Sequence, residues 1–279
     1  MHEITGSTRI MAILADPIHH VKTPQGINRL MRERGIDAVM VPWHVAPEGL
    51  ADALQALRGM RNFDGCIVTV PHKTALPALC DELTPGAARI GAVNVVRRLP
   101  DGRLRGGMLD GDGFVAGLRR DGIEPRGQSA YLAGAGGAAS AIAFALAQAG
   151  VSRLTIANRT PAKAQQLIDR LAPDFPAIAF VQGTDDPSGH DLVVNATSLG
   201  LREADALPLD VTRLTADQTA AEIIMQPVQT RWLAAARQKG CRIQYGAPML
   251  ACQIELMAAF MRGEPASKAP PRRASGSGP

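Results

Sequence analysis

At positions 134–139 the chain reads Gly134-Ala135-Gly136-Gly137-Ala138-Ala139, directly after a short apolar run over 129–133 and directly before an alanine-rich stretch that ends near Ala149. The pattern G-x-G-x-x-A, set between a strand and a helix, leaves few folds open. Gly134 allows the tight turn, Gly136 lets the backbone approach a pyrophosphate, and Ala139 permits the helix to pack closely on the strand. The helix N-terminus itself favours an anion. A dinucleotide-binding turn is therefore expected at Gly134, Ala135, Gly136, Gly137 and Ala138, inside a parallel α/β sheet.

The rest of the chain supports that class. Short β-branched or apolar runs predict strands over 10–15, 38–44 and 66–70, with helices opened at Thr23-Pro24 and Pro71. This βαβα order implies a mainly parallel sheet. A strand pair turning at Asp101-Gly102 follows, and then a helix from Asp110 to about Gly122. The second series begins at the glycine turn and continues with strands over 154–157, 178–181 and 191–195 and a helix from Pro161. A last helix over 249–261 is expected to pack back on the first series. The predicted organisation is an N-terminal α/β substrate domain over 1–109, completed by 246–264, a Rossmann domain over 110–245, and a disordered tail over 265–279.

The formal charge of +4 looks like a nucleic-acid signal. However, the last fifteen positions carry Lys268, Arg272 and Arg273 with no acid, and 30 basic side chains less these three leaves 27 against 26 acids. The excess sits in the tail, so neither a nucleic-acid partner nor a basic footprint is expected. The four cysteines, Cys66, Cys80, Cys241 and Cys252, form no CxxC pair and read as reduced core residues of a cytoplasmic protein. No apolar run approaches the roughly 20 residues that span a bilayer, so no membrane partner is expected.

An acidic side chain some 20 residues past such a turn would bind a ribose 2′-hydroxyl and repel a 2′-phosphate. Here the second strand of that series ends in Asn158-Arg159-Thr160. Arg159 is suited to stack on adenine and pair with a phosphate, which points to NADP over NAD. Thr160 also reads as the N-cap of a helix with Pro161 first, and Lys163 as a second cation near the phosphate.

Hydride transfer to NADP from a secondary alcohol needs a group that takes the hydroxyl proton and returns it in reverse. Lys73, in Val68-Thr69-Val70-Pro71-His72-Lys73, falls just past a predicted strand end, where parallel sheets gather ligands. Asp110 falls at the boundary facing the cofactor domain. Each residue is ordinary alone, a solvated lysine and an Asp before a glycine turn.

Together these segments resemble the shikimate dehydrogenase family, up to about residue 262. The resemblance is carried in order by Asp16-Pro17-Ile18 with Lys22-Thr23-Pro24, the Val68 to Lys73 segment, Gly91-Ala92-Val93-Asn94, Asp110-Gly111, the glycine turn, Asn158-Arg159-Thr160, Asn195-Ala196-Thr197-Ser198, and the stretch over 246–253. It implies an NADP-dependent oxidoreductase acting on a small cyclic hydroxy acid, as a monomer or homodimer. Lys73 would be the acid/base and Asp110 would hold both its amine and a substrate hydroxyl. Thr69, Asn94 and Gln253 would bind ring hydroxyls. Thr197, Ser198, Met225 and Met249 would line the nicotinamide side, Met225 standing where the family has a tyrosine.

The chain departs from the family at the carboxylate grip, where a Ser-x-Ser pattern has become Val21 and Thr23. Losing one hydrogen bond to a charged group costs about 1.5 to 3 kcal/mol, or roughly ten- to hundredfold in binding. Ile67, Met108 and Leu109 also replace polar family residues, and Glu222 replaces an Asp. These changes suggest weak shikimate affinity or preference for a relative such as quinate or aminoshikimate; the alternative is a ligand sensor with little turnover. His20 and Lys22 flank the altered position as candidate anion partners. The expectation is that His20→Ala or Lys22→Ala raises the Michaelis constant for the acid; unchanged constants in both variants remove them from the site.

Overall fold

A computed structural model describes residues 3–19 and 21–265. The expectations for His20 and for the tail beyond Pro265 lie outside the described residues. The first half contains β1 (Arg9–Ala15), α1 (Thr23–Glu33), β2 (Ala38–His44), α2 (Leu50–Gly59), β3 (Phe63–Val68), β4 (Glu82–Leu83), α3 (Pro85–Ile90), β5 (Val95–Arg98) and β6 (Leu104–Gly107). Its six strands form one sheet in the order β2-β1-β3-β5-β6-β4. The β1–β2, β1–β3 and β4–β6 pairs are parallel, while β5 runs antiparallel to both neighbours. The turn expected at Asp101-Gly102 joins β5 to β6, with Gly102 at φ 90°.

The second half follows α4 (Asp110–Arg120) and contains β7 (Ser129–Ala133), α5 (Gly137–Ala149), β8 (Arg153–Ala157), α6 (Pro161–Leu171), β9 (Ala179–Gln182), β10 (Leu192–Asn195), β11 (Thr219–Glu222), α7 (Arg231–Gln238) and β12 (Arg242–Gln244). These six strands make a fully parallel sheet, β12-β11-β10-β7-β8-β9. The last helix, α8 (Ala247–Arg262), returns to the first sheet, packing on α1, β3, β5 and α4.

One local expectation needs correction. No α-helix follows Pro71; the segment makes short 3-10 turns at His72–Thr74 and Leu76–Leu79. In an α-helix the Lys73 carbonyl would accept from residue 77, which is Pro77 and has no N–H. Val93 N–H donates to that carbonyl instead, at 2.9 Å. The helix expected to open at Thr23-Pro24 does begin at Thr23, with Lys22 at the N-cap position.

Apolar packing fills both halves. Of the four free cysteines, Cys66, Cys241 and Cys252 are buried and Cys80 is half-buried. Burial holds the Cys66 thiol well above its ordinary value and pushes Cys80 up to about 11. Among the described residues no helix is long and apolar enough to cross a membrane.

The two halves meet along α4. A Cβ on Gly111 would overlap the Ala141 carbonyl oxygen of α5, so only glycine permits that approach. On its other side α4 lies against α8. Gly111→Ala should cost about 1–3 kcal/mol by overpacking. Gly137→Ala, where an added Cβ meets nothing within 4 Å, should stay within about 0.5 kcal/mol of the parent. Urea denaturation of both variants measures the contrast.

Candidate active site

Between the two sheets lies a cavity of about 1000 Å³. Its polar centre is Asp110, the first residue of α4 and only 7 % exposed. Lys73 Nζ donates to Asp110 Oδ2 at 2.9 Å. Asn94 Nδ2 donates to Asp110 Oδ1 at 2.6 Å, and Gln253 Nε2 on α8 donates to the same oxygen. A buried carboxylate needs such partners, because desolvation without them is costly.

Each partner is itself held. Beyond β3, Thr69 N–H donates to the Leu14 carbonyl, and His72 is buried with its Nε2 2.8 Å from the Val45 carbonyl oxygen. These contacts and the Val93 bond to its carbonyl set the backbone of Lys73, whose side chain is 30 % exposed toward the cavity. Asn94 is tied into the sheet by its own backbone and accepts from Leu109 N–H through Oδ1 at 2.9 Å. The amides of Asn94 and Gln253, expected to face ring hydroxyls, each orient Asp110 with one N–H and keep a second donor.

Four elements bring the remaining groups to the cavity. Val21, Lys22 and Thr23 line it at the start of α1, and Thr69 at the end of β3. Gly136, Gly137 and Ala138 line it at the N-terminus of α5. Gly134, at φ 118°, makes the turn before them, where a Cβ would come within 2.8 Å of the Ala196 carbonyl oxygen. The N-terminus of α5 has no side-chain cap and no acid in its first turn, and Cβ atoms on Gly136 and Gly137 would meet nothing within 4 Å. This open, electropositive cradle fits a dinucleotide pyrophosphate.

Thr197, Ser198 and Met225 line the opposite wall. Met249 does not reach the cavity: it packs half-buried against the core, and its helix neighbours Ala247 and Leu250 line the cavity. Asn158, Arg159, Thr160 and Lys163 also lie outside the lining, at the end of β8 and the start of α6. The glycine turn is bonded to that strand end, Gly134 N–H to the Ala157 carbonyl at 2.7 Å. Arg159, Thr160 and Lys163 are exposed there. Thr160 holds the N-cap position without a side-chain cap, because Lys163 N–H is taken by the Thr160 carbonyl at 3.0 Å.

A holding role that the sequence reading missed belongs to Glu222, noted in the sequence only as a departure from the family. Glu222, fully buried, accepts from Asn195 Nδ2, Ile223 N–H, Ile224 N–H, Thr230 Oγ1 and Trp232 Nε1, five donors within 2.6–3.2 Å. Asn195 Oδ1 in turn accepts from the backbone and hydroxyl of Thr197. This network fixes the loops after β10 and β11 that wall the cavity. An acid inside the apolar run Ala220-Ala221-Glu222-Ile223-Ile224 was the available signal.

Residues 13–96 match the family model described as the shikimate dehydrogenase substrate binding domain, and residues 120–200 the model described as shikimate / quinate 5-dehydrogenase. A shikimate dehydrogenase (NADP(+)) of Moorella thermoacetica is 38% identical over 260 residues, covering 91% of this chain and 88% of the relative. The chain belongs to the shikimate dehydrogenase family. It is thus an oxidoreductase with a Rossmann-type second half.

Two solved relatives are similar throughout. The shikimate 5-dehydrogenase of Thermus thermophilus, solved with NADP(H) and shikimate, is 33% identical with a TM-score of 0.82, over 94% of this chain and 96% of that one. The ligand-free 5-ketofructose reductase of a Gluconobacter species is 32% identical with a TM-score of 0.85, over 94% and 95%.

Within this dehydrogenase scaffold, Glu222→Gln turns one acceptor oxygen into an NH2 that faces donors. The expected loss is about 1–3 kcal/mol of stability. Hydrogen exchange should quicken selectively over 195–199 and 223–225; uniform exchange across the chain would deny Glu222 its local role.

Proposed function

We propose that this protein interconverts a secondary alcohol and a ketone on a small cyclic hydroxy acid with NADP(H), shikimate and 3-dehydroshikimate or close relatives such as quinate or aminoshikimate being the substrates. The observation that carries this reading is the 2.9 Å contact between Lys73 Nζ and the buried Asp110 carboxylate, beside the glycine cradle. The names of the NADP-dependent relatives support the cofactor and substrate class. The Gluconobacter relative, a 5-ketofructose reductase, supports a scaffold that serves more than one carbonyl substrate.

When bound, NADP supplies the hydride acceptor. Lys73, as the neutral amine, takes the hydroxyl proton while the hydride leaves the same carbon, and returns it in reduction. Asp110 orients the amine, compensates its charge once protonated, and accepts from a neighbouring substrate hydroxyl. Thr69 binds a further hydroxyl, while Thr23, Lys22 and the α1 N-terminus meet the carboxylate. Gly136, Gly137 and Ala138 hold the pyrophosphate. Arg159, Thr160 and Lys163 meet the 2′-phosphate, with Asn158 supporting their loop through its bond to the Thr160 carbonyl. Thr197, Ser198 and Met225 flank the nicotinamide. Domain limits of 1–109 with 246–264 and 110–245, a cytoplasmic location and a monomer or homodimer complete the reading.

The apolar positions Val21 and Ile67 in the cavity favour a second reading, a ligand sensor that binds acid and cofactor without turnover. The intact Lys73–Asp110 pair speaks for catalysis. A panel of shikimate, quinate and aminoshikimate with NADP and NAD, followed by NADPH or NADH absorbance, decides between them. Expected are turnover with at least one acid, a preference for NADP, and a fall in kcat of about 10²–10⁴-fold in Lys73→Ala. Binding without turnover favours the sensor, and equal use of NAD removes the 2′-phosphate assignment.

A further inference from the structure

The two halves are tied at a second place, outside the cavity lining. Helix α3 of the first half has only six residues, too few to hold its shape without outside contacts. One flank rests on α5, where a Cβ on Gly86 would come within 3.0 Å of the Phe144 ring. Its last turn is gripped by side chains of the other half. Arg170, in the last turn of α6, donates through Nη1 to the Ile90 carbonyl at 3.3 Å, and Asp174, in the 3-10 turn that follows α6, pairs with Arg89. Arg170 and Asp174 stand at the four-residue spacing of a pair along one helix, yet both reach across to α3. A cleft of about 630 Å³ opens beside these contacts, so side-chain bonds join the halves here where close packing does not.

The gripped turn leads straight into the segment that holds the reacting pair. Ile90 ends α3, and Gly91, at φ 73°, turns the chain out of it. Val93 N–H then donates to the Lys73 carbonyl at 2.9 Å, while Asn94 donates to Asp110 and accepts from Leu109 N–H. From Ile90 to Val93 the chain can reach roughly 10 Å at most, which leaves little slack. Ile90, Val93 and Asn94 are also buried, so the segment cannot absorb a shift by bending into water. A displacement of the end of α3 is passed on to the Lys73 backbone and to the Asn94 amide together.

We infer that Arg170 is a positioning residue for Lys73 and Asp110, with Asp174 as its auxiliary. From the cofactor half it holds the Ile90 carbonyl, and through residues 91–94 it keeps the amine and the carboxylate in register. Neither Arg170 nor Asp174 lines the cavity, so they act on the reaction only through this segment. Without Arg170 the carbonyl turns to water and the end of α3 moves independently of the cofactor half. This rests on the dehydrogenase reading above and extends its machinery beyond the cavity.

The full chain is compared with Arg170→Ala, Arg170→Lys, and Arg170→Ala combined with Asp174→Asn. Both positions are exposed, so the variants should fold, which thermal melting checks. Turnover of an acid that the parent uses is followed by NADPH absorbance, well below each melting point. In Arg170→Ala kcat should fall about three- to tenfold, because small misplacements of reacting groups are costly. The fall should deepen in the double variant and reverse in Arg170→Lys, whose amine can still meet the carbonyl, while the Michaelis constant for NADP holds. A residue that only stabilised the fold would lower the melting temperature and leave this kcat alone. Unchanged kcat in the double variant, or in Arg170→Ala where the double variant does not fold, overturns the inference, as does a loss that lysine fails to restore. If the parent turns over no acid, the dehydrogenase reading falls and amide exchange decides the rest. Faster exchange at Val93 and Asn94 in Arg170→Ala, reversed in Arg170→Lys, keeps the brace, and unchanged exchange removes it.

Discussion

The site depends on how closely α4 approaches its neighbours. Gly111 brings the backbone of α4 against α5, the helix that carries the glycine turn, while the other side of α4 lies on α8. Asp110, at the head of α4, therefore stands where three separately built parts converge: the end of the first sheet with Lys73 and Asn94, the returning helix with Gln253, and the N-terminus of α5. A wider separation would leave the carboxylate without Gln253 and move the cradle away from the amine. The buried position of Asp110 is stable only because the first sheet and the returning helix supply its donors.

The elements that were legible in the sequence carry a local signal. The glycine turn has its own conformational chemistry, and the apolar runs of β1, β2, β7 and β8 have the right length and composition. Lys73 and Asp110 could be nominated because each follows a recognisable structural stop. Their mutual distance was not legible, since 37 positions separate them and the contact is made by tertiary packing alone.

The errors have the same origin. The helix expected after Pro71 fails at one hydrogen bond, where Pro77 offers no donor and Val93, distant in sequence, supplies one. Leu50, Leu54 and Leu57 of α2 show helical spacing that was there to be read. The bonds from Asn94 and Gln253 to Asp110 were missed because the residue types announce hydrogen-bonding amides without saying which protein group they also meet. Met249 and Leu250 are adjacent, so only the rotation of α8 decides which of them reaches the cavity.

The two buried carboxylates show why the same side-chain chemistry serves different ends. Glu222 takes five donors from groups that are neutral and fixed by the fold, and no cation lies among them. Every lone-pair direction is occupied by the protein, so the group is a tie between loops. Asp110 is also buried, but one of its donors is an amine that is partly exposed to the cavity. That amine reaches the cavity, so it can meet a ligand there, while the carboxylate behind it stays enclosed. Around this pair the cavity lining is largely hydrocarbon. The cavity thus concentrates its polarity around the pair and leaves much of its wall to shape and burial.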